Sequence, residues 1–151
     1  MKFNILAIAS IAILGITPPV YAATSTDKTS TEEVKQETQN FLQTLKAYTA
    51  DQKDEAIRKA RTALDNLDKR IDALEARVDE SWDKLNKDSR QKARDSLKAL
   101  RKQRNQVAEW YGVLKSSTGS AWEHMKKGFS DAYKALGDAW EKSEKEFDPS
   151  K

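Results

Sequence analysis

The sequence predicts an all-α protein: a long antiparallel helical hairpin of the coiled-coil kind, completed by further amphipathic helices into a three- to four-helix bundle. Three observations predict it. The 151 residues include only 5 Gly and 3 Pro, while 34% are charged, so chain breakers are scarce and strong helix formers abundant. Apolar residues from Ile57 to Val78 recur in steps of three and four, and a second stripe of similar spacing follows an interruption near Lys87. The last segment repeats every eleven residues, a helical period close to 3.67 per turn.

The first element is read as an address. Residues 1–22 carry Lys2, then twelve apolar or small residues from Ile5 to Ile16, then Pro18-Pro19 and small residues at Val20 and Ala22. This is the form of a secretory signal peptide, with cleavage expected after Ala22 or Ala23. A membrane span needs about 20 apolar residues, which this run does not reach. The mature chain is therefore expected to be exported, to the periplasm or cell envelope. Residues 23–30, ATSTDKTS, are small and polar and are expected to form a flexible tail.

A single helical domain is expected over 31–147, with helices at about 31–48, 51–86, 88–116 and 121–147. In the first, Val34, Phe41, Leu45 and Tyr48 share one side. Thr49 with Gln52 fits a capping box, so a new helix starts there unless the first runs on through Ala50. In the second, Ile57, Ala60, Leu64, Leu67, Ile71, Leu74 and Val78 form an a/d heptad stripe, which Trp82 and Leu85 continue with a small drift. Asp88 with Gln91 is the expected N-cap pair of the third helix. There the stripe is Ala93, Leu97, Leu100, Val107, Trp110 or Tyr111, and Leu114. Folding back near Lys87 sets Trp82 beside Ala93, Val78 beside Leu97, Leu74 beside Leu100 and Leu67 beside Val107. Each arm would be about 45–50 Å long. One layer puts Ile71 opposite Gln103 or Arg104, where the polar group either fixes the register or snorkels to the edge.

Lys115 to Ser120 is rich in Ser, Thr and Gly and reads as a break, with Ser120 and Glu123 as the next capping box. In the last helix Trp122 and Tyr133, Phe129 and Trp140, and Met125, Leu136 and Phe147 are each eleven apart. At 100° per residue these large side chains fall within an arc of about 80°. Such a face either docks on the hairpin or lies on an apolar surface. Trp122, Met125, Phe129, Tyr133, Leu136 and Trp140 are the candidate apolar binding face. Gly128 and Gly137 interrupt the helix at about 1 kcal/mol each relative to Ala. They either allow a close approach or make the segment easy to open. Residues 148–151 are expected to be a C-terminal tail.

Charge is balanced overall, with 27 basic and 24 acidic residues, so no strong field for nucleic acid is expected. It is uneven locally. Residues 88–116 hold 8 basic and 3 acidic groups. Arg90, Arg94, Lys98, Arg101 and Lys102 form the candidate patch for an anionic envelope surface. The competing reading pairs these charges with Asp65, Asp68, Asp72, Glu75 and Asp79 of the neighbouring helix.

Catalytic chemistry finds no foothold. There is no Cys and one His, His124, whose neighbours at i+3 and i+4 are Lys127 and Gly128. No phosphate loop or nucleophile–base set is recognisable. No catalytic residue, metal or cofactor is expected.

The blocks AYTADQKDEA, DNLDKRIDALEARVDESWDKL, RKQRNQVAEWYGVLKSS and SAWEHMKKGFSDAYKALGDAWEKSEKEF give the chain a resemblance to small exported proteobacterial helical proteins. The last block is also similar to the eleven-residue amphipathic repeats of apolipoprotein-like helices. The resemblance implies a helical coiled-coil protein of the envelope and carries over no catalytic residue. The functional expectation is a non-enzymatic interaction module whose last helix meets a membrane surface or an apolar protein. The alternatives are a structural protein that forms homo-oligomers through exposed hairpin seams, and a holdase-type chaperone.

Overall fold

A computed structural model describes residues 31–147. The expected signal peptide (1–22), flexible tail (23–30) and C-terminal tail (148–151) lie outside the described residues. Four helices follow one another: α1 (Thr31–Ala47), α2 (Lys53–Ser81), α3 (Lys87–Ser116) and α4 (Trp122–Glu146). There is no strand among the described residues.

Cross-helix contacts give the directions. Arg101 meets Glu75 while Arg104 meets Asp68, so positions rising along α3 meet positions falling along α2. Thr38 lies against Gly137, and Lys46 against Lys126, which makes α1 and α4 antiparallel. Trp110 lies against Gly128, and Ser96 against Glu146, which does the same for α3 and α4. The result is an up-down-up-down bundle of the expected all-α class.

The heptad stripe is the core edge of α2: Ala60, Leu64, Leu67, Ile71, Leu74 and Val78 are all buried. Ala93, Leu100, Val107 and Leu114 do the same in α3. Fully burying a Leu or Val side chain contributes about 1.5–3 kcal/mol. Among large hydrophobic residues described, Val113 alone is exposed, so the stripes of the hairpin are covered within the bundle.

The backbones of α3 and α4 lie closer to each other than those of α2 and α3 do. The hairpin seam is lined by Leu, Ile and Val, which hold helix axes apart. The α4 surface presents Gly128, Ala132 and Ala139, which let axes approach. Thus α4 is an integral member of the bundle, antiparallel to both α1 and α3.

Several boundaries differ from the sequence reading. The chain does break after α1: Thr49 N–H donates to Gln52 Oε1 at 3.2 Å, as the capping box requires, and a 3-10 turn at Ala50–Gln52 leads into α2. However, α2 stops at Ser81 instead of 86, and a second 3-10 turn covers Trp82–Lys84. Trp82 therefore leaves the seam. It sits half-buried with Arg90 and Arg94 over its ring, at 5.4 and 4.9 Å from the centroid. The N-cap of α3 is Asn86, whose Oδ1 accepts from Ser89 N–H at 2.8 Å. Asp88 falls in the first turn, where its charge suits the helix dipole. Ser120 does not cap α4; its hydroxyl lies 3.3 Å from that of Thr118, and Glu123 reaches Lys126. In the Ile71 layer, Arg104 snorkels: its Nε and Nη2 both bond Asp68, each at 2.9 Å.

Candidate interaction surfaces

The face of α4 singled out by its eleven-residue repeat forms much of the bundle core. Trp122, Phe129, Tyr133, Leu136 and Trp140 are buried, and Met125 is half-buried against the same cluster. Phe41 of α1 packs edge-on to Tyr133 with centroids 4.8 Å apart and to Phe129 at 6.3 Å. Burial pushes the Tyr133 phenol up to about 12, with Glu37 adding to the rise and Arg70 opposing it.

The N-terminal end of α4 is pinned. Helix α1 ends with carbonyls that have no partner in their own helix. Lys126, only 5% exposed, donates from Nζ to Lys46 O at 3.0 Å, Tyr48 O at 2.8 Å and Glu123 Oε1 at 3.0 Å. Trp122 Nε1 donates to Tyr48 O at 3.0 Å. An ammonium at a helix C-terminus also opposes the negative end of the macrodipole. Further along, Gly128 receives the Trp110 ring so closely that a Cβ would lie 2.3 Å from it.

The other end is held differently. Gly137 packs on Thr38, with a would-be Cβ 3.3 Å from its methyl group. Arg77 pairs with Glu144, and Ser96 Oγ donates to Glu146 Oε2 at 2.5 Å. Yet among the described residues Arg77 Nε and Trp140 Nε1 are buried without an acceptor. A buried unmatched donor costs about 1–3 kcal/mol. Beyond them a cleft of about 720 Å³ opens between the hairpin tip and the end of α4, floored by Val78, Leu85 and Phe147.

The basic patch is partly neutralised. Arg101 makes a two-point bond to Glu75 at 2.7 and 2.6 Å. Arg90 donates to Trp82 O at 3.0 Å. Arg94 lies over Trp82. Lys98 and Lys102 are exposed, and neither has a carboxylate partner among the described residues. The pairing foreseen with the acidic helix thus applies to Glu75 and Asp68, which engage Arg101 and Arg104. Lys87, outside the five residues named from sequence, stands exposed at the same end.

Sequence reasoning did not single out Lys126. Its two backbone acceptors come from a helix end some eighty positions earlier, and no local pattern announces them. His124 is exposed. Among the described residues, no group of His, Cys, Asp and Glu is arranged to hold a metal ion, and no helix is long and apolar enough to cross a membrane. Comparison of the chain with protein-family models, with curated proteins and with solved structures finds no match.

Proposed function

We propose that this chain is a non-enzymatic, exported interaction module of the cell envelope, in which α4 is a binding helix kept closed in the free protein. In the closed bundle its apolar face is core. On a membrane surface the same face lies in the interface. A stripe that keeps its heading over three turns suits a flat apolar boundary.

The observation that carries this reading is the uneven attachment of α4. Its first two turns hold three hydrogen bonds to the end of α1, counting Trp122 with two from Lys126. Its C-terminal half is held by Arg77–Glu144 and Ser96–Glu146 at its very end, yet there Trp140 Nε1 and α2's Arg77 Nε are buried without an acceptor among the described residues. Segments that open first are those with the weakest local support. Release therefore begins at the C-terminal end and uncovers Trp140, Leu136 and Tyr133 in turn.

Phe129→Asp is a poor test, because Phe129 is fully buried and a charge there unfolds the bundle. A staple is better. The Cβ of Thr38 lies 3.9 Å from the position of a Cβ on Gly137, within the disulfide range of about 3.5–4.5 Å. The chain has no other Cys. Thr38→Cys/Gly137→Cys is mixed with zwitterionic vesicles at high salt, oxidised and then reduced. The expected result is binding by the reduced form and at least tenfold weaker binding by the oxidised form. Equal binding by both forms, or none by either, overturns the reading.

A further inference from the structure

Four cations share the outer face of α3. Lys87, Arg94, Lys98 and Lys102 are all exposed, and at 100° per residue they fall within an arc of about 80°. They span sixteen residues, or about 22 Å of one helix. None forms an ion pair among the described residues. The acids on or near this face are Asp88, Asp95 and, about two turns beyond Lys102, Glu109; Asp95 accepts from Gln91 at 3.0 Å. Arg101 and Arg104, turned toward α2, are already matched by Glu75 and Asp68. The packing has sorted the basic residues of α3 into a neutralised inner row and an unmatched outer row. At one end of the outer row stands Trp82, half-buried under Arg90 and Arg94.

We propose that this outer row is a docking surface for an anionic phospholipid bilayer, engaged by the closed bundle without release of α4. Charge complementarity selects the partner's sign, and shape selects its form. The row lies on the side of α3 opposite its buried residues Ala93, Leu100 and Val107, so all four charges can face one plane together. A polyanion that wraps around the rod would also meet exposed Asp65, Asp72 and Asp79 of α2; a plane would not. An aromatic ring among guanidinium groups suits the headgroup level. This surface is distinct from the apolar face of α4. The proposal rests on the membrane reading above only for the kind of partner, and the two fail separately.

The test is sedimentation of the full chain with vesicles of phosphatidylcholine, with and without phosphatidylglycerol, at low and high salt. The binding that requires phosphatidylglycerol is expected at low salt and is lost at high salt, where charges are screened over about 3 Å at 1 M, leaving only the salt-resistant binding through α4. At about 1 kcal/mol per lysine and 1.4 kcal/mol per tenfold, Lys98→Gln/Lys102→Gln weakens binding about thirtyfold. Lys127→Gln/Lys134→Gln removes the same charge from exposed sites on α4 and leaves binding within about threefold. The oxidised Thr38→Cys/Gly137→Cys protein retains this salt-sensitive binding even where it loses the salt-resistant kind. Equal loss in the two lysine pairs, indifference to phosphatidylglycerol, or tighter binding to a short DNA duplex at the same salt overturns the proposal.

Discussion

Gly128→Ala should destabilise the bundle, while the same substitution at Gly112 should stabilise it. Both glycines lie inside long helices, where Ala is favoured by about 0.8–1 kcal/mol. At Gly112 an added Cβ meets nothing within 4 Å, so the gain is realised. At Gly128 it would stand 2.3, 2.4 and 2.6 Å from three carbons of the Trp110 ring, far inside the optimum of about 3.5–4.0 Å. The ring must leave its place. Overpacking of this kind costs about 1–3 kcal/mol, and three simultaneous overlaps put it at the upper end. The net loss is about 2 kcal/mol, and the two variants should differ by about 3 kcal/mol. Urea unfolding followed by far-ultraviolet circular dichroism measures both. The mechanism has its own check: in a Trp110→Ala background the overlap is gone, and Gly128→Ala should become stabilising by about 1 kcal/mol. Such a sign reversal is the non-additivity expected of residues in contact. If Gly128→Ala is as stable as the parent, or if its effect is the same with and without Trp110, then α3 and α4 do not meet at this point.

Three further outcomes follow from named contacts. Lys126→Met leaves Lys46 O without its Nζ donor and takes one of two donors from Tyr48 O; it should cost about 2–4 kcal/mol in urea unfolding, and a neutral result would refute the buried cap. Trp122→Phe should cost more than Trp140→Phe by about 1 kcal/mol, because the first loses a bond to Tyr48 O and the second removes a donor that has no acceptor; the reverse order would remove the basis for opening from the C-terminal end. Burial pushes the Tyr133 phenol from its ordinary 10.0 up to about 12. The folded state thus holds a proton that the unfolded chain gives up. This contribution is complete below pH 10, falls as pH rises to about 12, and amounts to roughly 2–3 kcal/mol. Tyr133→Phe should flatten that part of the alkaline loss relative to the parent, and an unchanged difference across the range would count against burial of the phenol.

The parts of this fold that could be read in advance are those governed by periodicity. From Ala60 to Val78 each stripe residue is buried, because a three-and-four spacing on a helix can satisfy only one edge. At the margin the reading slips: Ile57 is half-buried, and Ala56 takes the buried position. The turns were less legible. Asn86 and Asp88 are both good caps, and the choice went to Asn86 because a 3-10 turn after Ser81 ended the helix early. The same turn moved Trp82 from an expected seam position to a bed under two arginines. In the basic patch, sequence gave the excess of charge on α3 but not its division. Which arginines find carboxylates depends on the rotation of α3 against α2, and that is settled by the core on the other side. Lys126 was beyond reach altogether, since its burial depends on where α1 ends.

The glycines of α4 decide between two accounts of its apolar face. Gly128 and Gly137 are nine residues apart, which at 100° per residue puts them about 180° apart around the helix. They therefore flank the stripe, one turned to Trp110 of α3 and the other to Thr38 of α1. A helix made only to lie on lipid has no use for two such positions, each unfavourable by about 1 kcal/mol. A helix wedged between two others needs both, one for each neighbour. The glycines thus argue that the packed form is the one the free chain adopts. The unmatched Trp140 and Arg77 donors argue that this form is weakest at one end. Peeling from that end gives up the Gly137 contact while keeping the Gly128 contact and the Lys126 cap. A covalent link between positions 38 and 137 lies where opening starts, so it separates a face that is only core from a face that is core until a membrane competes for it.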